Sequence, residues 1–237
     1  MALGTSGGRT RERRDPQATR RALLAAGAAL FSEGGYDAVP IEDVAARAGV
    51  NKALISYHFG GKRGLYAAIL ASGFEQIARR LDAAEASAKD APAALRALLA
   101  VFAAFRTEHP EFPGLFMREV VSSGIEPSVV PHLLSIIDVS RRIAARGARE
   151  GTLRSVNPLL MHFGLIGALV FFSSTEPARR RAAAERRLPF AMPELPEFLR
   201  YLEGLTLRGL APDRRGPRRR PRTATRTRAV RRKERAR

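Results

Sequence analysis

The sequence predicts an all-α protein with a small N-terminal three-helix unit followed by a larger helical unit. Three observations predict it. From Pro16 to Leu210 there is no hairpin signal and no alternating strand run of useful length. Apolar residues recur instead at spacings of three and four, in a background rich in alanine. Pro110, Pro113, Pro127, Pro158 and Pro196 fall at or near helix starts, where a missing N–H costs little.

The elements follow in order. Leu23, Leu24, Gly27, Leu30 and Phe31 make the stripe of a first helix, which starts near Pro16 or Thr19 and ends at Gly34-Gly35. Ile41, Val44, Ala45 and Ala48 make a short second stripe, stopped by Gly49. Asn51 is a good N-cap for a third helix over Lys52 to about His58. After Gly60-Gly61 a longer helix runs from Lys62 to about Ala84, with Leu65, Ile69, Ile77 and Leu81 on its apolar side. Further helices are predicted near 92–108, 112–122, 127–150, 157–175 and 194–210, with Gly151 as a C-cap. Residues 176–193 read equally as a helix or a basic loop.

The 237 residues carry 41 Lys+Arg against 23 Asp+Glu, a net charge of +18. That excess points to a polyanionic partner, nucleic acid or an anionic membrane surface. Its distribution is uneven. Residues 211–237 hold 13 Lys+Arg and 2 acids, which leaves only +7 on residues 1–210. This Arg-rich tail and an arm over residues 1–15 have too little apolar surface to offset ordering entropy, so both are expected to be disordered. Residues 40–65 carry a net of only +2, so the tail is an accessory to DNA binding. There are no cysteines, which excludes a disulfide scaffold, a thiolate metal site and a Cys nucleophile. The longest apolar stretch, Phe163 to Phe172, is about half of the roughly 20 residues a bilayer span needs. No apolar run follows the arginines of Met1–Arg14, so no secretory signal is expected. A cytoplasmic protein with no membrane partner is expected.

Ala48-Gly49-Val50-Asn51 joins the second and third helices as a small residue, a turn glycine, an apolar plug and an N-cap. That is a helix-turn-helix signature, spanning residues 40–59, with Val44, Ala45, Ala48, Gly49, Val50 and Ile55 as its core. The second helix of such a motif enters the major groove. Ile55 faces inward, leaving Lys52, Ala53, Leu54, Ser56, Tyr57 and His58 to face outward. Leu54 can meet a thymine methyl, and Tyr57 and His58 can bond a phosphate or a base edge. Lys62 opens the next helix, where its charge and the free N–H groups suit a phosphate.

Residues 19–70 resemble the DNA-binding domain of TetR-family transcriptional regulators. The matching positions include Arg20, Leu24, Ala26, Phe31, Gly35, Tyr36, Val44, Ala45, Ala48, Gly49, Val50, Ile55, His58, Phe59, Lys62 and Leu65. The resemblance implies a helix-turn-helix DNA-binding domain over about 17–77 and a helical ligand-binding and dimerisation domain over 78–210. It also implies a homodimer on a double-stranded DNA operator, with Lys52, Ala53, Leu54, Ser56, Tyr57, His58 and Lys62 at the DNA. Four positions depart from the family pattern: Pro40 replaces a hydroxyl cap, Ser56 a tyrosine, Leu54 a small polar residue and Arg63 an acid. Arg63 is expected to add positive charge near the DNA backbone.

Residues 108–120 resemble a segment found in a subset of the family. The helices near 157–175 and 194–210 correspond to the pair that dimerises, and Gly164, Gly167 and Ala168 on one side of the first permit close backbone approach. Phe102, Phe105, Phe116, Met117, His132 and Phe163 are candidates to line a pocket for an unknown small-molecule effector, with Phe112 beside them; such apolar side chains are more often simply core. Arg118-Glu119 reads as an internal ion pair. His109, His132 and His162 lack metal-ligand spacing, and there is no nucleophile elbow, phosphate-cradling glycine loop or acid pair at a recognisable spacing. No enzyme activity, metal or cofactor is expected. The function that emerges is a ligand-released repressor acting as a homodimer on a pseudo-palindromic operator. The alternatives are an activator or dual regulator, and a non-specific DNA binder working through the tail.

Overall fold

The computed structural model describes residues 15–122, 124–185 and 191–212. The expected arm and tail lie outside them except for Asp15, Ala211 and Pro212. Among the described residues all regular structure is helical.

Helix α1 (Pro16–Gly34) starts at Asp15, whose side chain accepts from the Gln17 N–H at 2.9 Å, and it ends at Gly35 with φ +85°. Asp15 therefore belongs to the folded body, and Thr19 lies buried one turn inside the helix. Helix α2 (Ile41–Arg47) follows Pro40 without a side-chain cap, as the missing hydroxyl predicts; Glu42 and Asp43 supply negative charge to its first turn instead. Helix α3 (Ala53–Phe59) is capped by Asn51, whose Oδ1 accepts from the Ala53 N–H at 2.8 Å. It closes on Gly60 in the left-handed region.

Helix α4 (Lys62–Ser87) is the spine of the molecule, about 39 Å long at 1.5 Å per residue. It outlasts its predicted end by three residues and packs against α1, α3 and three helices beyond them. Those are α5 (Ala91–Glu108), α6 (Phe112–Ser122) and α7 (Val130–Glu150). α7 begins three residues later than predicted because 127–129 form a turn rather than a first helical turn.

The predicted helix over 157–175 is interrupted. It consists of α8 (Pro158–His162), a π-helical turn (Phe163–Gly167) and α9 (Ala168–Ser174). Two exposed glycines at positions 164 and 167 lower the local preference for the tighter α geometry. The segment left open after residue 175 begins with a helix, α10 (Glu176–Ala184), and α11 (Leu195–Gly209) completes the fold.

One apolar core runs the length of the molecule. At the N-terminal end Leu23, Phe31, Val44, Ile55 and Leu65 are fully buried. Phe31, Tyr36 and Tyr66 form a ring cluster with centroids 5.1–5.8 Å apart. At the other end Leu81, Leu95, Leu98, Leu115, Ile143 and Leu165 are equally buried. Each such side chain contributes about 1.5–3 kcal/mol. Because Leu65 and Leu81 lie on one helix, the two ends share a rigid element.

Candidate nucleic-acid interface

The turn between α2 and α3 is built as its sequence demands. Gly49 takes φ +65°, and the Val50 N–H reaches back to the Ala45 carbonyl at 3.0 Å. Val44, Ala45 and Ile55 are buried, while Ala48 and Val50 are half-buried. Gly49 is itself exposed, so it belongs to this unit through its backbone conformation and not as a core side chain.

Lys52, Ala53, Ser56 and Tyr57 come together on an open face of α3, with Tyr57 80% exposed. Leu54 and His58 do not stand fully outward. Both are half-buried, one helical turn apart, and Leu54 packs on the core. The His58 ring sits between Tyr57 and Phe59, at 5.0 and 6.0 Å. Lys52 is tied to Glu42 at 3.1 Å, which links α3 to α2. Backbone hydrogen bonding, then the Lys52 ammonium, hold the Glu42 carboxyl below its ordinary range.

Lys62 donates to the Asp37 carbonyl at 3.2 Å and lies over the Tyr36 ring at 4.8 Å. Its charge is thereby fixed at the start of α4, beside the free N–H groups of that helix. Two further residues shape this corner. The Arg20 guanidinium covers the Phe59 ring at 5.4 Å. Gly64 lies so close to α3 that a Cβ there would collide with the Phe59 carbonyl oxygen.

Arg63 overturns its expectation. It turns away from the α3 face and binds Glu119 of α6 with two bonds, at 2.9 and 2.7 Å, and Glu126 at 3.2 Å. Glu119 is 1% exposed and also accepts from the Glu126 N–H. These bonds, the Glu119 hydrogen bonds foremost, raise Arg63 above its ordinary value. The internal ion pair of Glu119 is thus made with Arg63, and its neighbour Arg118 lies over Gly35 instead. The reason is geometric: consecutive residues on a helix point about 100° apart, so Arg118 and Glu119 cannot share one face. Just beyond, the buried Tyr66 hydroxyl donates to the Leu115 carbonyl of α6 at 2.8 Å. Burial, then the Glu119 charge, push the Tyr66 hydroxyl up to about 12.

The far side of α6 borders an interior cavity of about 480 Å³, within the size range of small-molecule sites. Phe102, Phe105, Phe116, Met117 and Phe163 line it, together with Phe74 and Ile77 of α4. His132 does not. It sits near the start of α7, on a different side from the lining residue Ile136, and His162 is the imidazole at the cavity. The His162 Nδ1 lies 2.9 Å from the buried Ser140 hydroxyl. Burial lowers the His162 pKa, which favours the neutral ring.

A second apolar feature faces outward. Leu159, Leu160, Phe163, Phe171, Tyr201 and Leu205 are exposed along α8–α9 and α11. Gly164 and Gly167 have open space beside them on the same helix. No group of residues suited to hold a metal ion occurs among the described residues, and no single helix among them is long and apolar enough to cross a membrane.

Residues 23–69 match the family model described as bacterial regulatory proteins, tetR family. The chain is similar to the HTH-type transcriptional repressor NicS of Pseudomonas putida, with 26% identity over 201 residues, 81% of this chain and 92% of that protein. It is also similar to the HTH-type transcriptional activator FasR of Mycolicibacterium smegmatis, with 26% identity over 78% of this chain and 87% of that one. In fold it resembles the TetR-family transcriptional regulator PfmR from Thermus thermophilus, with a TM-score of 0.63 and 23% identity over 78% of this chain and 97% of that one.

Proposed function

Because this chain belongs to the TetR family of bacterial transcriptional regulators, we propose that it is an effector-released repressor acting as a homodimer on a pseudo-palindromic operator. The open face of α3 enters the major groove. Ser56 and Tyr57 approach base edges or phosphates, and Lys52 and Lys62 take backbone phosphates. Leu54 and His58, being half-buried, contribute at the edge of that face. The unit over about 17–77 reads DNA, and residues 78–210 bind the effector and the second subunit. The exposed apolar side chains of α8–α9 and α11 support that pairing, since two copies would cover them isologously. The protein works in the cytoplasm.

The observation that carries the regulatory reading is the double connection between the α3 corner and the cavity. Phe74 and Ile77 of α4 and Phe116 and Met117 of α6 line the cavity. Arg63 and Tyr66 of α4 bond Glu119 and the Leu115 carbonyl of α6. An occupant that displaces α6 therefore pulls on the first turns of α4, which adjoin α3. The resulting coupling is the occupant's difference in affinity between the two head positions.

Footprinting of the upstream region with purified protein, combined with sedimentation of the complex, tests this. One protected palindrome with two half-sites about 34–36 Å apart, bound by two subunits, is the expected result. Protection by a monomer, or equal affinity for random DNA, overturns it. The sign is read from a promoter fusion, where loss of the protein raises expression from a repressed promoter.

A further inference from the structure

We propose that the effector is an apolar monocarboxylate, its hydrocarbon body among the phenylalanines of the cavity and its carboxylate at a corner formed by Arg106 and Ser173. The proposal rests on the effector-binding reading above and names the chemistry of that site.

The cavity wall explains the body of the ligand. Nearly all of it is phenylalanine, isoleucine, leucine, valine and methionine, and no acidic side chain lines it. Its three polar side chains are Arg106, His162 and Ser173. His162 is already engaged through Nδ1 with Ser140, and burial favours its uncharged form. Ser173 differs: its side chain is 8% exposed and its hydroxyl has no hydrogen-bond partner. A buried hydroxyl left unpaired is costly, and a ligand oxygen at this corner relieves that cost.

The charge at the corner decides which oxygen. Arg106 lines the cavity and pairs with Glu176 of α10, but Glu176 is shared with Arg180. Arg179 stands close enough that the Arg106 charge adds to burial in lowering its pKa. Its Nε also lacks an acceptor. Three guanidinium groups therefore answer to one carboxylate. Such a corner repels a cation, gives a neutral hydroxyl nothing for its charge excess, and is completed by one negative charge. A dianion needs more donors than one hydroxyl and one shared guanidinium provide.

The test is calorimetric titration of the full chain, without DNA, with decanoate and with 1-decanol. Decanoate is expected to bind about tenfold or more tighter than the alcohol. Ser173→Ala should weaken decanoate by about tenfold and leave 1-decanol nearly unchanged. Arg106→Gln should remove the preference, while Arg180→Gln, at an exposed side chain outside the cavity, should keep most of it. Equal affinity for the two probes, binding of neither, or an undiminished preference in both Ser173→Ala and Arg106→Gln overturns the proposal. Operator binding measured with each probe separates the two levels. Decanoate that binds through Arg106 and Ser173 yet leaves the operator complex intact supports the ligand class and sinks effector release. Release by 1-decanol at equal affinity does the reverse.

Discussion

Arg63, in the first turn of α4, holds both carboxylate oxygens of Glu119 on α6, and Glu119 is buried. The pair fastens the helix that adjoins α3 to the helix that lines the cavity. Replacing both partners in an Arg63→Gln, Glu119→Gln cycle should give a coupling energy of about 1–3 kcal/mol in unfolding experiments. The lower end is expected, because Arg63 is 40% exposed and screened by solvent. The Glu119→Gln protein should also lose most of the effector's influence on operator affinity; an unchanged influence rejects the pair as a link.

Gly64 is the tightest point between α3 and α4. Gly64→Ala places a carbon against the Phe59 carbonyl, and backbone cannot yield as a side-chain tip can. Operator affinity should fall at least about tenfold, and thermal stability by about 1–3 kcal/mol from overpacking. Wild-type values for both would mean that the corner has room to relax.

Tyr57 and Lys62 separate contact from support. Tyr57→Ala removes a side chain that is mostly in solvent, so the melting temperature should stay within the effect of about 0.5 kcal/mol while operator affinity drops. Lys62→Ala should weaken binding to all sequences alike and reduce the slope of log K against log salt by about 1. A specificity change in Lys62→Ala would place that side chain at a base instead.

Leu160 and Leu205 are 71% and 50% exposed on α8 and α11. Leu160→Asp with Leu205→Asp should leave a folded monomer by sedimentation and by circular dichroism, with operator affinity sharply reduced through loss of the second half-site. A dimer that persists in the double variant rules out this face.

His162 should leave a mark on stability between pH 5 and 7. Burial depresses its folded pKa below the ordinary 6.5, so the unfolded chain takes up a proton that the folded one refuses. Its contribution is fully present above pH 6.5 and is lost as pH falls toward the depressed value. Unfolding midpoints of the wild type should therefore decline in that window more steeply than those of His162→Asn. Parallel curves would show that the imidazole titrates normally.

Much of this is legible in the sequence where local rules decide. Asn51 as a cap, Gly49 as the turn and the inward Ile55 each follow from spacing within one short segment. The destinations of Arg63 and Glu119 are not legible, because they lie 56 residues apart and meet only once α4 and α6 have packed. Leu54 and His58 read as fully outward since one apolar anchor at Ile55 does not reveal that α3 is gripped on a second side. His132 and His162 look alike in sequence. Only the side of the helix each occupies distinguishes them, and the π-helical turn after His162 has no reliable sequence mark.

That turn makes helix length a controlled quantity. A π-helical turn holds one residue more than the α-helix it interrupts, and each α-helical residue rotates the chain by about 100°. Losing one residue within 163–167 would relax the backbone into regular helix and swing everything after it around the axis. Leu169 and Ser173 would leave the cavity, and Phe171 would leave the outward face. Over evolutionary time this segment should accept exchanges of one side chain for another far more readily than insertions or deletions.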